Sequence, residues 1–174
     1  MLRLLLLRHA KTERAEPGQR DRDRNLMPRG ESDAQLIGAY MMRHKLSPDR
    51  VLVSPAARTM QTWSHVATAL PCAPRVTQDE RIYNASAETL ADVIRGGGDA
   101  STLLLIGHNP GIQDLAMQLI GSGDVDARED LKEKLPTSGL IVIDFAFDDW
   151  ASLHDSAGRL ARFVSPRLIE SAAD

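Results

Sequence analysis

The sequence predicts an α/β protein: a three-layer α/β/α sandwich built on a mostly parallel central sheet of about six strands with an antiparallel edge strand. Three observations carry that expectation. Short apolar runs, Met1–Leu7, Val51–Val53 and Thr102–Ile106, read as strands buried on both faces. Segments with apolar residues at helical spacing stand between them. The two kinds alternate along the chain, as βα units around a parallel sheet do.

The elements follow in order. Met1–Leu7 is apolar except for Arg3. Glu31–Leu46 carries Ala34, Ile37 and Met41 on one stripe, with Leu36 and Tyr40 beside it, and reads as an amphipathic helix. Val51–Val53 is a short buried strand. Ser54-Pro55 then reads as an N-cap followed by Pro at the first helical position, and Met60, Trp63, Ala67 and Leu70 line one face of the next helix. Arg75–Thr77 is a further short strand. Ser86–Arg95 is a helix stopped by Gly96-Gly97-Gly98. Thr102–Ile106 is strongly apolar. Pro110–Ile120 places Ile112, Leu115, Ala116, Leu119 and Ile120 at i, i+3, i+4, i+7 and i+8 of a helix. Leu140–Phe147 is a late strand, and with no helix between them Trp150–His154 pairs with it as a hairpin or an antiparallel edge. No internal repeat is present.

Two charged stretches interrupt this pattern. Glu13–Arg29 holds Arg14, Arg20, Arg22, Arg24 and Arg29, interleaved with Asp21 and Asp23. It reads either as a solvated loop or as a mobile basic flap over whatever the first strand's end binds. Asp124–Lys134 lacks the complete ligand pattern of a calcium loop and reads as solvated.

A chain of 174 residues suits one domain, here 1–174. Such a domain buries roughly 70% of its unfolded surface and needs no disulfide or metal to hold it. With 43% hydrophobic and 26% charged residues, the composition is that of an ordinary globular protein. The net charge of −3 argues against a nucleic-acid partner, because no broad basic face is implied. One cysteine, Cys72, allows no intramolecular disulfide, which fits a reducing compartment. Cys72 lies between Pro71 and Pro74 and reads as structural. The N-terminal leucines are too short a run for a signal peptide, and no small-residue cleavage site follows. No segment is long enough to span a membrane. The expectation is a cytoplasmic protein with neither nucleic acid nor membrane as partner.

Chemistry gathers at three strand ends. The first is Arg8-His9. The second is Ser54-Pro55, with Arg58 in the helix beyond. The third is Gly107-His108-Asn109-Pro110-Gly111. In a parallel sheet these ends share one edge, where α/β proteins place their ligands. Two arginines, two histidines and two helix N-termini there suit a dianionic phosphoryl group. Arg8 and Arg58 can hold phosphoryl oxygens bidentately. They also disfavour protonation of His9, which keeps it nucleophilic. Asn109 stands beside His108 in the phosphate-binding set. Glu80 is the candidate general acid, weighed against a plain surface carboxylate, with Asp79 a second candidate. Thr62, one turn beyond Arg58, is placed to support it. His44 reads as a helix-dipole partner, and His65 and His154 as structural or surface residues.

The motifs Leu6-Leu7-Arg8-His9-Ala10, Val53-Ser54-Pro55-Ala56-Ala57-Arg58-Thr59-Met60-Gln61-Thr62 and Gly107-His108-Asn109-Pro110-Gly111 resemble those of the histidine phosphatase superfamily, also called phosphoglycerate-mutase-like. Asp79-Glu80-Arg81 resembles that family's acid segment. The resemblance implies that His9 attacks phosphorus and forms a phosphohistidine enzyme. It implies that Arg8, Arg58 and His108 hold the phosphoryl group, and that water then releases phosphate with no metal or cofactor. Ala10 stands where the family usually has Gly. That residue, the short chain and Pro136-Thr137-Ser138-Gly139 resemble the compact bacterial phosphohistidine phosphatase branch. The expected substrate is a phosphohistidine on a protein. The alternatives are small phosphomonoesters or a phosphate-dependent binding module without turnover. A histidine metal site is disfavoured, because HExxH spacing is lacking and Arg8 and Arg58 repel cations.

Overall fold

Leu4, Leu5, Leu6 and Leu7 have no solvent exposure, since their strand lies in the middle of a seven-stranded sheet with helices on both faces. The structure, a computed structural model, describes residues 1–173. In chain order the elements are β1 (Leu2–Arg8), α1 (Pro28–Arg43), β2 (Arg50–Val53), α2 (Ala57–Ala67), β3 (Arg75–Gln78), α3 (Ala87–Arg95), β4 (Thr102–Gly107) and α4 (Gly111–Leu119). β5 (Ile120–Gly123), α5 (Val125–Glu133), β6 (Leu140–Phe145), β7 (Gly158–Val164) and α6 (Pro166–Ala173) complete the chain. The strand order is β3-β2-β4-β1-β6-β7-β5.

The period of two in a strand splits β1 between two cores. Leu4 and Leu6 pack with Leu90 and Ile94 of α3 and Ile112 and Leu115 of α4. Leu5 and Leu7 pack with Ile37 and Met41 of α1, Val66 of α2 and Ile169 of α6. Truncating such a fully buried leucine to alanine costs about 2–5 kcal/mol. The helix layers close tightly on their neighbours. A Cβ on Gly38 would stand 2.4 Å from the Val66 carbonyl oxygen, so only glycine lets α1 lie this close to α2.

The α/β/α sandwich with a mostly parallel sheet is the fold observed, and two details differ from expectation. The antiparallel strand, β6, is not at an edge: it pairs with β1 on one side and β7 on the other. Its chain enters beside the end of β1, where Ser138 N–H reaches Arg8 O and Arg8 N–H reaches Gly139 O, so it must run back along β1. Its outer partner is β7, not Trp150–His154. Trp150–Ser152 is a 3-10 turn whose Trp150 is buried and donates Nε1–H to Ala100 O at 2.8 Å.

The expected strands and helices otherwise stand within a few residues of their predicted bounds. Asp124–Lys134 contains the helix α5, capped by Asp124 and buried only at Leu131. Among the described residues, no helix is long and apolar enough to cross a membrane.

Candidate active site

The register of the parallel strands decides which loops meet. Arg8 of β1 lies opposite Gly107 of β4, and Val53 of β2 lies opposite Ile106 of β4. Arg8-His9, Ser54–Arg58 and Gly107–Asn109 therefore leave the sheet side by side. They open a cleft of about 410 Å³, in which every lining side chain is polar; Arg8, His9, Arg58, His108 and Asn109 are among them. The α4 N-terminus reaches this edge because Gly111 has no side chain. A Cβ there would lie 2.1 Å from the Ala85 carbonyl oxygen.

His9 is buried and its ring orientation is fixed. Nδ1 lies 2.8 Å from Ala10 O, and a carbonyl can only accept, so Nδ1 carries the proton. Nε2 is left with its lone pair. Thr62 supports this loop rather than Arg58 alone: its hydroxyl accepts Ala10 N–H at 2.9 Å and donates to Arg58 O at 2.7 Å. Burial pushes the His9 pKa down to about 4, with the charges of Arg58 and Arg8 adding to it. The arginines thus help keep His9 neutral, as the sequence suggests, but desolvation is the larger cause.

His108 stands 5.4 Å from His9, ring centre to ring centre. Its Nε2 meets Ser54 Oγ at 2.8 Å. Ser54 is not the cap of α2, which begins at Ala57 after Ala56. Its hydroxyl serves His108 instead. Burial, then the Arg58 charge and His9, push the His108 pKa down to about 3. Both imidazoles are neutral at neutral pH.

The arginines converge as expected, with one addition. Arg8 donates from one terminal nitrogen to Leu135 O at 2.8 Å. Arg58 is 3% exposed, and both its terminal nitrogens are engaged by Asp21, one by the backbone oxygen and one by Oδ2, each at 3.0 Å. The Asp21 carboxylate also accepts from Tyr83 Oη. The Tyr83 bond, followed by the charges of Arg58 and Arg24, holds the Asp21 carboxyl below the usual range. Arg8 Nε, Arg58 Nε and His108 Nδ1 remain buried without a partner. Buried donors left over around one cleft are what an anion site provides.

Glu13–Arg29 thus contributes directly, since Asp21 and Arg24 line the cleft. The stretch is anchored by a bridge between Thr12 and Leu26 and by Leu26 N–H donating to Gln61 Oε1 at 2.8 Å. Asn109 lines the cleft, but its amide is occupied locally: Oδ1 accepts Gln113 N–H at 3.2 Å, and Nδ2 donates to Gln113 Oε1 and Leu135 O.

Glu80 is not brought into the cleft. Its carboxylate is exposed and paired with Arg22 at 3.0 Å, which matches the surface alternative. Asp79 is committed to Arg81, whose hydrogen bonds hold its carboxyl low. From this segment it is Asn84, with a left-handed φ of 47°, that lines the cleft. Lys11, Thr12 and Asn84 also line the cleft, though no periodicity or motif marks them, and Thr137 joins them from the Pro136-Thr137-Ser138-Gly139 segment. Among the described residues, no group of three or more His, Cys, Asp or Glu side chains is placed to hold a metal ion.

Comparison with known proteins agrees with this geometry. Residues 4–95 match the model of the histidine phosphatase superfamily, branch 1. An uncharacterized protein of Mycobacterium tuberculosis strain H37Rv is 36% identical over 164 residues, spanning 92% of this chain and all of that protein. Among solved structures, a protein of Agrobacterium tumefaciens provisionally named phosphohistidine phosphatase SixA superposes with a TM-score of 0.81 at 32% identity. That match covers 95% of this chain and 98% of the other. Its provisionally named counterpart from Nakamurella multipartitia gives 0.83 at 26% identity, covering 95% and 96%. The arginine-histidine strand end, the helix-borne arginine and the full-length matches lead to one conclusion: this chain belongs to the histidine phosphatase superfamily, branch 1.

Proposed function

We propose that the chain is a metal-independent phosphatase that works through a phosphohistidine on His9 and takes phosphohistidine on a protein as substrate. The observation that carries this reading is the state of His9. The ring is neutral, its Nδ1–H is spent on Ala10 O, and its Nε2 lone pair is free beside a set of unpartnered buried donors.

In the first step His9 Nε2 forms a bond to phosphorus as the substrate's P–N or P–O bond breaks. Arg8, Arg58 and His108 donate to the three equatorial oxygens, whose charge they stabilise through the transition state. The electron pair of the broken bond stays with the leaving group. A phosphohistidine protonated on its distal ring nitrogen leaves as neutral imidazole, so no proton is needed at the breaking bond. An alkoxide needs one at once. Among the described residues, Asp21 is the one carboxylate lining the cleft, and Tyr83 and Arg58 hold it ionised. A cleft without a protonated carboxyl suits a P–N bond. In the second step water adds to phosphorus, the P–Nε2 bond breaks, and inorganic phosphate and neutral His9 are released.

The similarly folded proteins provisionally named phosphohistidine phosphatase support the same substrate class. The lone Cys72 fits a reducing compartment, and the cytoplasm is the proposed site of action. The test is a panel of a phosphohistidine protein, phosphoramidate and phosphomonoesters with excess chelator, run on wild type and His9→Ala. The expected order is phosphohistidine first, undiminished by chelator and abolished in His9→Ala. A preference for phosphomonoesters, or loss of activity in chelator, contradicts the reading.

A further inference from the structure

A groove larger than the cleft, about 690 Å³, adjoins it. Lys11 and Thr137 line both, so the groove lies directly beside the cleft. The chemistry changes along it. The cleft is polar throughout, whereas the groove adds Phe163, Pro136, Pro166 and Leu168. Leu168, in the first turn of α6, is 47% exposed, one of few large apolar side chains left to water.

The charges along the groove are unequal. Arg29 is held by Asp33 at 3.0 Å and by Glu170 at 3.1 Å. Among the described residues, Lys11, Lys134 and Arg167 form no ion pair. Only Asp130 is left in the lining to oppose them. A basic rim beside an exposed apolar strip complements a surface that is acidic and partly apolar. The phosphoryl group needs none of it, because Arg8, Arg58 and His108 already supply donors in the cleft.

We propose that this groove docks an acidic polypeptide segment flanking the phosphorylated residue of the substrate protein. An apolar side chain of that segment covers Phe163 and Leu168, while Asp or Glu side chains face Lys134 and Arg167. The proposal rests on the reading of the cleft as a site for phosphohistidine on a protein. A small phosphate ester fills the cleft alone and leaves the groove open.

The test uses the full chain and the double charge reversal Lys134→Glu with Arg167→Glu. Three substrates are compared: a phosphohistidine peptide flanked by Asp, Glu and Leu, the same peptide with Lys in place of the acids, and phosphoramidate. Wild type has the lower KM for the acidic peptide. Reversal raises that KM at least tenfold with kcat unchanged, lowers the KM of the lysine peptide, and leaves phosphoramidate hydrolysis unaltered. Should the reversed chain fail to fold, Lys134→Ala with Arg167→Ala carries the same comparison, with a smaller rise for the acidic peptide. Equal KM values for both peptides on wild type overturn the proposal. So does an equal loss on phosphoramidate, which makes these residues structural. If wild type turns over phosphoramidate and neither peptide, the protein-substrate reading itself fails.

Discussion

Ser54 Oγ and His108 Nε2 stand 2.8 Å apart, which determines which nitrogen of His108 can serve a ligand. Nδ1 is the only ring nitrogen left, buried and without a partner. In the proposed complex Nδ1 donates to a phosphoryl oxygen, so there Nδ1 holds the proton and Nε2 accepts from the Ser54 hydroxyl. Ala56 N–H also points at Oγ, at 3.4 Å, using a lone pair and leaving the hydroxyl proton for His108. Ser54→Ala should release this tautomer and lower kcat/KM by about 1–3 kcal/mol of transition-state binding. Ser54→Thr should restore most of it. The ¹⁵N shifts of the His108 ring read the tautomer directly; if they do not change in Ser54→Ala, Ser54 does not set it.

The buried neutral histidines make stability depend on pH. His9 titrates near 6.5 when unfolded and at about 4 when folded. Between those values the unfolded chain binds the extra proton, so unfolding free energy falls as pH falls. The contribution is complete above about pH 6.5 and is lost progressively down to about pH 4, on the order of 3 kcal/mol for His9. His108 acts in the same direction, over a window reaching to about 3. Denaturant titrations at pH 7 and pH 5 on wild type and His9→Asn check this. The wild type should lose more stability than the variant on acidification; parallel losses would mean that His9 is not held neutral by the fold.

Asp21 occupies the fork of Arg58, which the proposed mechanism assigns to the phosphoryl group. The Asp21 carboxylate is half exposed, so the pair is worth no more than about 1 kcal/mol. Asp21→Asn should therefore tighten inhibition by inorganic phosphate by up to about fivefold, with a smaller gain at high salt. A weaker inhibition in Asp21→Asn would instead make Asp21 a support that orients Arg58.

Glu80 lies outside the cleft on Arg22. A working general acid is worth roughly 100-fold or more. Glu80→Gln is expected to change phosphohistidine hydrolysis by less than about threefold. A hundredfold loss in a single-turnover assay would show that Glu80 leaves Arg22 and reaches the reacting bond.

Much of the site could be read in the sequence because its residues sit at abrupt ends of buried strands. Leu4–Leu7 and Leu103–Ile106 are apolar on both faces, so the Arg8-His9 and His108-Asn109 steps mark the sheet edge. Arg58 follows from its place early in α2. Asp21 and Asn84 carry no such mark, as tertiary folding alone brings their loops to the cleft. The groove had none either: Lys11, Lys134 and Arg167 are distant in sequence. β7 escapes notice because Arg159, Ala161 and Arg162 are exposed and leave little apolar signal. β5, with the sequence Ile-Gly-Ser-Gly, has little strand preference at all. The interior place of β6 depends on the Ser138–Gly139 contacts with β1, which no local pattern announces.

The central claim is that His9 becomes phosphorylated, and rapid quenching of a single turnover with ³²P-labelled phosphohistidine protein tests it most directly. The account predicts an acid-labile, base-stable label on His9 that forms and decays within the turnover and is missing in His9→Ala. Full release of phosphate by wild type, with no label on His9 at any time, would contradict it.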